Sequence, residues 1–232
     1  MKKLIGNDLR LAHRMYLVFA ALFICSLVVT NLIFQKFFYW NPFGLFEFEI
    51  SVGLLPYPIT FLITDAVSEI YGRRKANDLV LAGIFASVFS LGIIYVANLA
   101  PAIKASPVDN AVFSSVFGAT SIAIIASMSA YLLAQFIDVQ IYHFWKRLTR
   151  GKMLWVRNNF RTVFSQFVDT LTVLLLLCYS SIIPWDKFTT LLAAGFLFKV
   201  LVALFDTPLL YGVVYIFRKL FNLEQGQEIQ ID

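Results

Sequence analysis

Charge is scarce in this sequence. Asp, Glu, Lys and Arg make up 14% of its 232 residues, whereas soluble domains carry about 25%. Histidine is scarcer still. His13 and His143 are the only two, and neither belongs to an HExxH or another metal-ligand spacing. The two cysteines, Cys25 and Cys178, form no CxxC; they are expected to be packing residues and indicate no redox compartment. A GxSxG nucleophile elbow is missing, and so is a phosphate-cradling GxxxxGKS/T loop. These absences argue against metallohydrolases, serine hydrolases and nucleotide hydrolysis at a P-loop. The expectation is a protein that is not an enzyme and that needs no cofactor and no metal.

Apolar residues, by contrast, make up 59% of the chain, more than the 45–50% or so of a soluble domain. A soluble fold of this length has no interior large enough for them, so the lipid bilayer is the expected surrounding. A spanning helix needs about 20 mostly apolar residues. Six candidates are present: Met15–Phe34, Ile50–Ile70, Leu79–Ala100, Ser121–Tyr142, Thr162–Ile183 and Phe188–Phe217. In the second, Pro56 and Pro58 interrupt the run. The sixth contains Asp206-Thr207-Pro208, and its proline removes a helical hydrogen bond, which predicts a kink or break.

The basic residues orient these spans. Fifteen of the 19 Lys and Arg lie before span one, between spans two and three, between four and five, or after six. The alternate loops hold only Lys36, Lys104 and Lys187, and Lys199 lies inside span six. Positive charge stays in the cytoplasm, which predicts both termini inside. The net charge of +5 then serves juxtamembrane anchoring rather than nucleic-acid binding. The first apolar run is too long for a signal peptide and lacks a small-x-small cleavage site, so it is expected to be retained. Loops are short, which predicts a single transmembrane domain, and the polar tail Asn222–Asp232 is expected to fray.

Within this apolar chain a few polar residues stand out. A charge at the centre of a spanning helix costs about 2.5–3.5 kcal/mol on insertion scales and is therefore a functional-site candidate. Asp138, Asp169, Asp206 and Lys199 lie within or near spans, with Asp65 and Glu69 near the cytoplasmic end of span two. Gln135 and Asp138 are three residues apart, as are Gln166 and Asp169, so each pair shares one helix face. Such a pair sets a carboxylate, which can accept two adjacent N–H donors, beside an amide that can donate to a carbonyl. A guanine-like edge presents that combination, and planar rings suit a chain that is 16% aromatic. The alternative is interhelical glue, in which these groups bond neighbouring helices. Asp65, Glu69 and Arg73 recur every four residues and could form an ion-pair ladder or a gate. Lys199 and Asp206, seven apart, could neutralise each other through neighbours.

The run Tyr57-Pro58-Ile59-Thr60-Phe61-Leu62-Ile63-Thr64-Asp65-Ala66-Val67-Ser68-Glu69-Ile70-Tyr71-Gly72-Arg73-Arg74 resembles the signature of the queuosine precursor transporter family. The stretch Arg161–Thr170, with Ser165-Gln166 and Asp169-Thr170, is similar to that family's fifth helix, and the resemblance runs over essentially the whole chain. It implies a bacterial inner-membrane importer of 7-deazaguanine precursors, with a six-helix, all-α bundle like the substrate-binding subunits of energy-coupling-factor transporters. Those subunits dock through small residues four apart on helix one. Here Ala20 and Ala21 have no alanine four residues away, which speaks against an energising partner. Residues and resemblance converge on a purine-like base bound among helices two, five and six. Asp169 would take the ring N–H and amine and Gln166 the carbonyl, with Asp65 or Glu69 at an inner gate. The rival readings are a vitamin-capture subunit and a structural membrane protein.

Overall fold

The computed structural model describes residues 2–41, 44, 47–130, 133–134, 154–224 and 227–231. Helix dominates. In chain order the elements are β1 (Lys2–Lys3), α1 (Asn7–Ile33), β2 (Phe37–Trp40), β3 (Phe48–Ser51), α2 (Tyr57–Leu99), α3 (Asn110–Phe117), α4 (120–130), α5 (Leu154–Tyr179), α6 (Phe188–Phe221) and β4 (Ile229–Gln230). Among the described residues, four helical stretches are long and apolar enough to cross a membrane: Asn7–Ile33, Val52–Leu99, Asn110–Ala130 and Trp185–Phe221; Val163–Tyr179 is a shorter apolar one. Their outer faces carry large apolar side chains, among them Leu81 and Phe85 at 67% and 72% exposure. Helices that bury so little of their apolar surface inside the protein are at home in lipid, where every backbone group must be satisfied within its own helix.

The expected spans two and three lie in one helical stretch, α2, but not in one straight helix. Gly72 adopts φ 84° and ψ 166°, a conformation open to glycine and strained for any other residue. It divides α2 into two arms. Pro56 and Pro58 fall at the beginning of the first arm, where a missing N–H costs little, and Ile50 belongs to β3. The prolines thus start this helix and do not interrupt it. In α6 the helical assignment continues through Pro208 to Phe221, so the expected break is absent; a membrane helix can tolerate proline by re-satisfying the freed carbonyl locally. The expected fourth span Ser121–Tyr142 begins as α4, and beyond residue 130 it lies largely outside the described residues.

The chain divides into two compact units. The first comprises residues 1–33, 53–93 and 202–232. Its core holds Phe23, Ile63, Val67, Ile70, Tyr71, Leu79 and Phe217. The Tyr71 hydroxyl donates to the Ala12 carbonyl at 2.9 Å, and the Phe217 ring stacks on Phe19. Gly83 lets α1 approach α2, since a Cβ there would lie 2.6 Å from the Phe23 ring; small residues serve helix contacts in membranes in this way. The two ends of the chain close this unit. β1 pairs in parallel with β4, and Lys2 Nζ donates to the Phe221 and Asn222 carbonyls, each at 2.9 Å, at the C-terminus of α6. A cation there complements the helix dipole. Ile229 and Ile231, 0% and 5% exposed, join the core. The tail expected to fray is docked through its two isoleucines.

The second unit comprises residues 34–52 and 94–201. Its core gathers Ala126 of α4, Leu174, Leu177 and Cys178 of α5, and Leu191 of α6. Cys178 packs as expected, whereas Cys25 is exposed on α1 of the other unit. β2 and β3 form an antiparallel hairpin with Phe37 opposite Ser51 and Trp40 opposite Phe48.

Gly72→Ala should lower stability by about 1–3 kcal/mol through its positive φ, although the near Glu228 carboxylate can swing aside. Gly92→Ala, in open space on the second arm of α2, should be neutral or mildly stabilising. Thermal unfolding of the two variants in detergent checks both expectations.

Candidate functional site

The second unit contains a buried ion pair. α5 ends at Tyr179, where Ser181 turns the chain with a positive φ of 58° and Ile182 N–H bonds back to the Leu177 carbonyl. Pro184 then leads into the short turn Trp185–Lys187 and on to α6. Asp169 lies ten residues before the last residue of α5, and Lys199 eleven after the first of α6. At 1.5 Å per residue both side chains therefore sit about 15–17 Å along their helices from the connection, roughly half the bilayer's apolar thickness of about 30 Å. The matched depth brings them together: Lys199 Nζ donates to Asp169 Oδ2 at 2.6 Å. Their side chains are 5% and 13% exposed.

Gln166, one turn before Asp169, is buried, as is Thr170. The Thr170 hydroxyl donates to the Gln166 carbonyl at 2.8 Å, holding the polar face of α5 against its own backbone. Aromatic residues stand beside these groups in sequence, Phe167 next to Gln166 and Phe198 next to Lys199. Phe167 meets Phe196 edge-on with centroids 5.4 Å apart, and Trp40 of the hairpin meets Phe198 edge-on at 5.3 Å. Glu49, next along β3 from Trp40's partner Phe48, ties the hairpin to the α5–α6 connection, its two carboxylate oxygens accepting from Lys187 Nζ at 2.6 and 2.9 Å.

Such an arrangement can recognise a polar ligand in an apolar setting. A 2.6 Å charge-assisted bond is short and strong, and in low dielectric it offsets part of the cost of burying both charges. An ammonium has three donors and a carboxylate about four acceptor positions, so each can hold several partners at once.

The remaining predicted residues fall elsewhere. Asp65, exposed, and Asp206, half-buried, lie in the first unit, close enough for their charges to repel. Lys199 thus pairs with Asp169 and not with Asp206, because a neighbouring helix is nearer than a residue two turns along its own. The expected ladder from Glu69 to Arg73 does not form on one helical stripe, because Gly72 breaks the helical spacing between them. Glu69 Oε1 instead accepts from Arg218 Nη2 of α6 at 3.0 Å; both side chains are partly exposed, so this pair contributes little to stability. Gln135 and Asp138 lie outside the described residues. Trp40, Phe196 and Phe198 were not anticipated, and Thr170 only as part of the stretch similar to the family's fifth helix. Only the aromatic enrichment pointed toward the rings, and nothing in the hairpin's sequence singles out Trp40.

Residues 51–213, which span α2 through most of α6, match the model of the "putative vitamin uptake transporter" family. The chain belongs to this family. The vitamin-uptake-transporter family consists of transporters, not enzymes, and its matched region includes Asp65, Glu69, Gln166, Asp169, Lys199 and Asp206. Two relatives carry a more specific name. The "probable queuosine precursor transporter" of Bacillus subtilis (strain 168) is 26% identical over 169 residues, covering 72% of this chain and 73% of that protein. The protein of the same name from Haemophilus influenzae (strain ATCC 51907 / DSM 11121 / KW20 / Rd) is 28% identical over 179 residues, covering 75% and 73%. No solved structure matches.

Within this family member, breaking the buried pair should be costly and removing it whole should not. Lys199→Met should destabilise by about 3–5 kcal/mol, and the double variant Asp169→Leu/Lys199→Met should recover most of that loss. Thermal unfolding of purified protein measures both.

Proposed function

We propose that this chain is a multi-pass transporter of the bacterial inner membrane that imports queuosine precursors, the 7-cyano form of 7-deazaguanine, its 7-aminomethyl form or both, for modification of tRNA. The observation that carries this reading is the Asp169–Lys199 pair, buried at matched depth with Gln166 one turn away. The names of the two relatives and the run Tyr57–Arg74 support the same substrate class. In this reading the Asp169 carboxylate accepts the ring N–H and exocyclic amine of the base, and Gln166 donates to its carbonyl. Gln135 and Asp138 supply a second amide–carboxylate pair. Asp65, Glu69 and Asp206 serve passage, the Glu69–Arg218 pair acting as an inner gate that opens and re-forms.

The proposed topology is six spans with both termini cytoplasmic, in a bundle like the substrate-binding subunits of energy-coupling-factor transporters. The two arms of α2 on either side of Gly72 fit two spans joined at the cytoplasmic face, with Arg73, Arg74 and Lys75 at the junction. A second reading, capture of a vitamin on behalf of an energising partner, is favoured by the family's description alone. It requires uptake to fail when the ATPase modules of such systems are deleted.

The test uses cells that cannot synthesise the precursors, supplied with low external 7-cyano-7-deazaguanine. Queuosine should return to tRNA with the parent chain, and fall at least tenfold with Asp169→Asn at matched membrane level. A well-expressed parent that restores nothing, with either precursor form, would remove the precursor reading.

A further inference from the structure

The two ends of the chain meet beside the Glu69–Arg218 pair. We infer that β1 and β4 form a clasp on that gate: paired, they hold α2 and α6 together at the cytoplasmic face, and they part when cargo passes inward. This deepens the preceding reading and rests on it for Glu69–Arg218 as the inner gate.

The argument starts from what the paired ends touch. Lys2 lies opposite Ile229 and Lys3 opposite Gln230, and the Lys2 N–H donates to the Glu228 carbonyl at 2.6 Å. From this short ladder one contact reaches each helix of the gate. On α6, the Lys2 ammonium holds the Phe221 and Asn222 carbonyls. On α2, the Glu228 carboxylate fills the space that a side chain would take at Gly72, where a Cβ would lie 2.6 Å from Glu228 Oε2. Phe221 comes three residues after Arg218, and Gly72 three after Glu69. Clasp and gate therefore join the same two helices within about a turn of each other. Parting α2 from α6 at Glu69–Arg218 would also draw Glu228 from Gly72 or Lys2 from the end of α6.

The two fastenings differ in strength. The Glu69–Arg218 pair is partly exposed, where water and salt weaken it. The clasp instead buries Ile229 and Ile231 in the core that holds Val67, Tyr71 and Phe217, and apolar burial is the larger contribution. Yet it can open without unfolding a helix. Two residue pairs make a ladder too short to persist by itself. Asn222, at a positive φ of 48°, forms a joint just past α6, and element-terminal residues of this kind absorb hinge motion. A strap that only tied the fold together would not have to part, and locking it would leave transport unchanged.

The experiment locks the clasp. Lys3→Cys and Gln230→Cys place thiols on an exposed register pair, in a full chain that also carries Cys25→Ala and Cys178→Ala. A short bis-methanethiosulfonate bridges the two thiols, and reductant releases them. Uptake of labelled 7-cyano-7-deazaguanine into liposomes is measured before bridging, after it and after reduction, so each sample is its own reference. Bridging should lower the rate by about tenfold or more, as expected when a gating motion is blocked. Reduction should restore it, and single-cysteine forms given the same reagent should keep their rate. A bridged protein that stays within about twofold of its unbridged rate overturns the inference and leaves the precursor reading standing. Uptake by no form, the parent included, is a different outcome: it removes the precursor reading, and the clasp with it.

Discussion

A charged pair buried in the middle of two apolar helices is the feature on which the functional account depends. Placing a lysine or an aspartate in hydrocarbon opposes insertion by several kcal/mol, and membrane helices normally avoid the cost by excluding charge. Here α5 and α6 each retain one charge, and the short connection through Ser181 and Pro184 sets their register so that Asp169 and Lys199 meet at 2.6 Å. Pairing removes most of the penalty but seldom yields net stability over well-packed apolar residues. A pair of this kind calls for a reason beyond folding, and recognition of a polar, flat molecule provides one.

The first unit is held by different means. Its helices pack through Tyr71, Phe19, Phe23 and Phe217, with Gly83 admitting a close approach and Gly72 turning the chain between two arms of α2. The β1–β4 pairing and Lys2 at the end of α6 join the two ends of the chain. Glu69 and Arg218, which also belong to this unit, are partly exposed and weakly bound, and are therefore suited to opening. The contrast is between a buried pair that is costly to disturb and an exposed one that is cheap to break, a division of labour that a transporter can use.

The helical, membrane-bound character of the chain was legible because apolar runs of spanning length fit poorly anywhere but in a bilayer. Gln166 and Asp169 were legible because a carboxylate in such a run is expensive and therefore conspicuous. The partner of Asp169 was not legible: Lys199 was noticed, but which acid it meets depends on the register of two helices, and no single-helix periodicity contains that. Glu69 and Arg73 show the same limit from the other side. Their spacing of four implies contact only on a continuous helix, and the backbone of Gly72 removes that continuity. Pro56 and Pro58 were misplaced because proline punctuates a helix start as readily as it interrupts one. The docked tail left a readable signal, since Glu228-Ile229-Gln230-Ile231 alternates with period two, as a strand with one buried face does.

The most direct test of a transporter built around this pair is uptake by the purified chain alone. The protein would be reconstituted into liposomes free of other proteins and supplied with radiolabelled 7-cyano-7-deazaguanine. The account predicts entry of label above that of empty liposomes, saturable and competed by unlabelled base. Label entering no faster than into empty liposomes, with protein correctly folded and inserted, would contradict it.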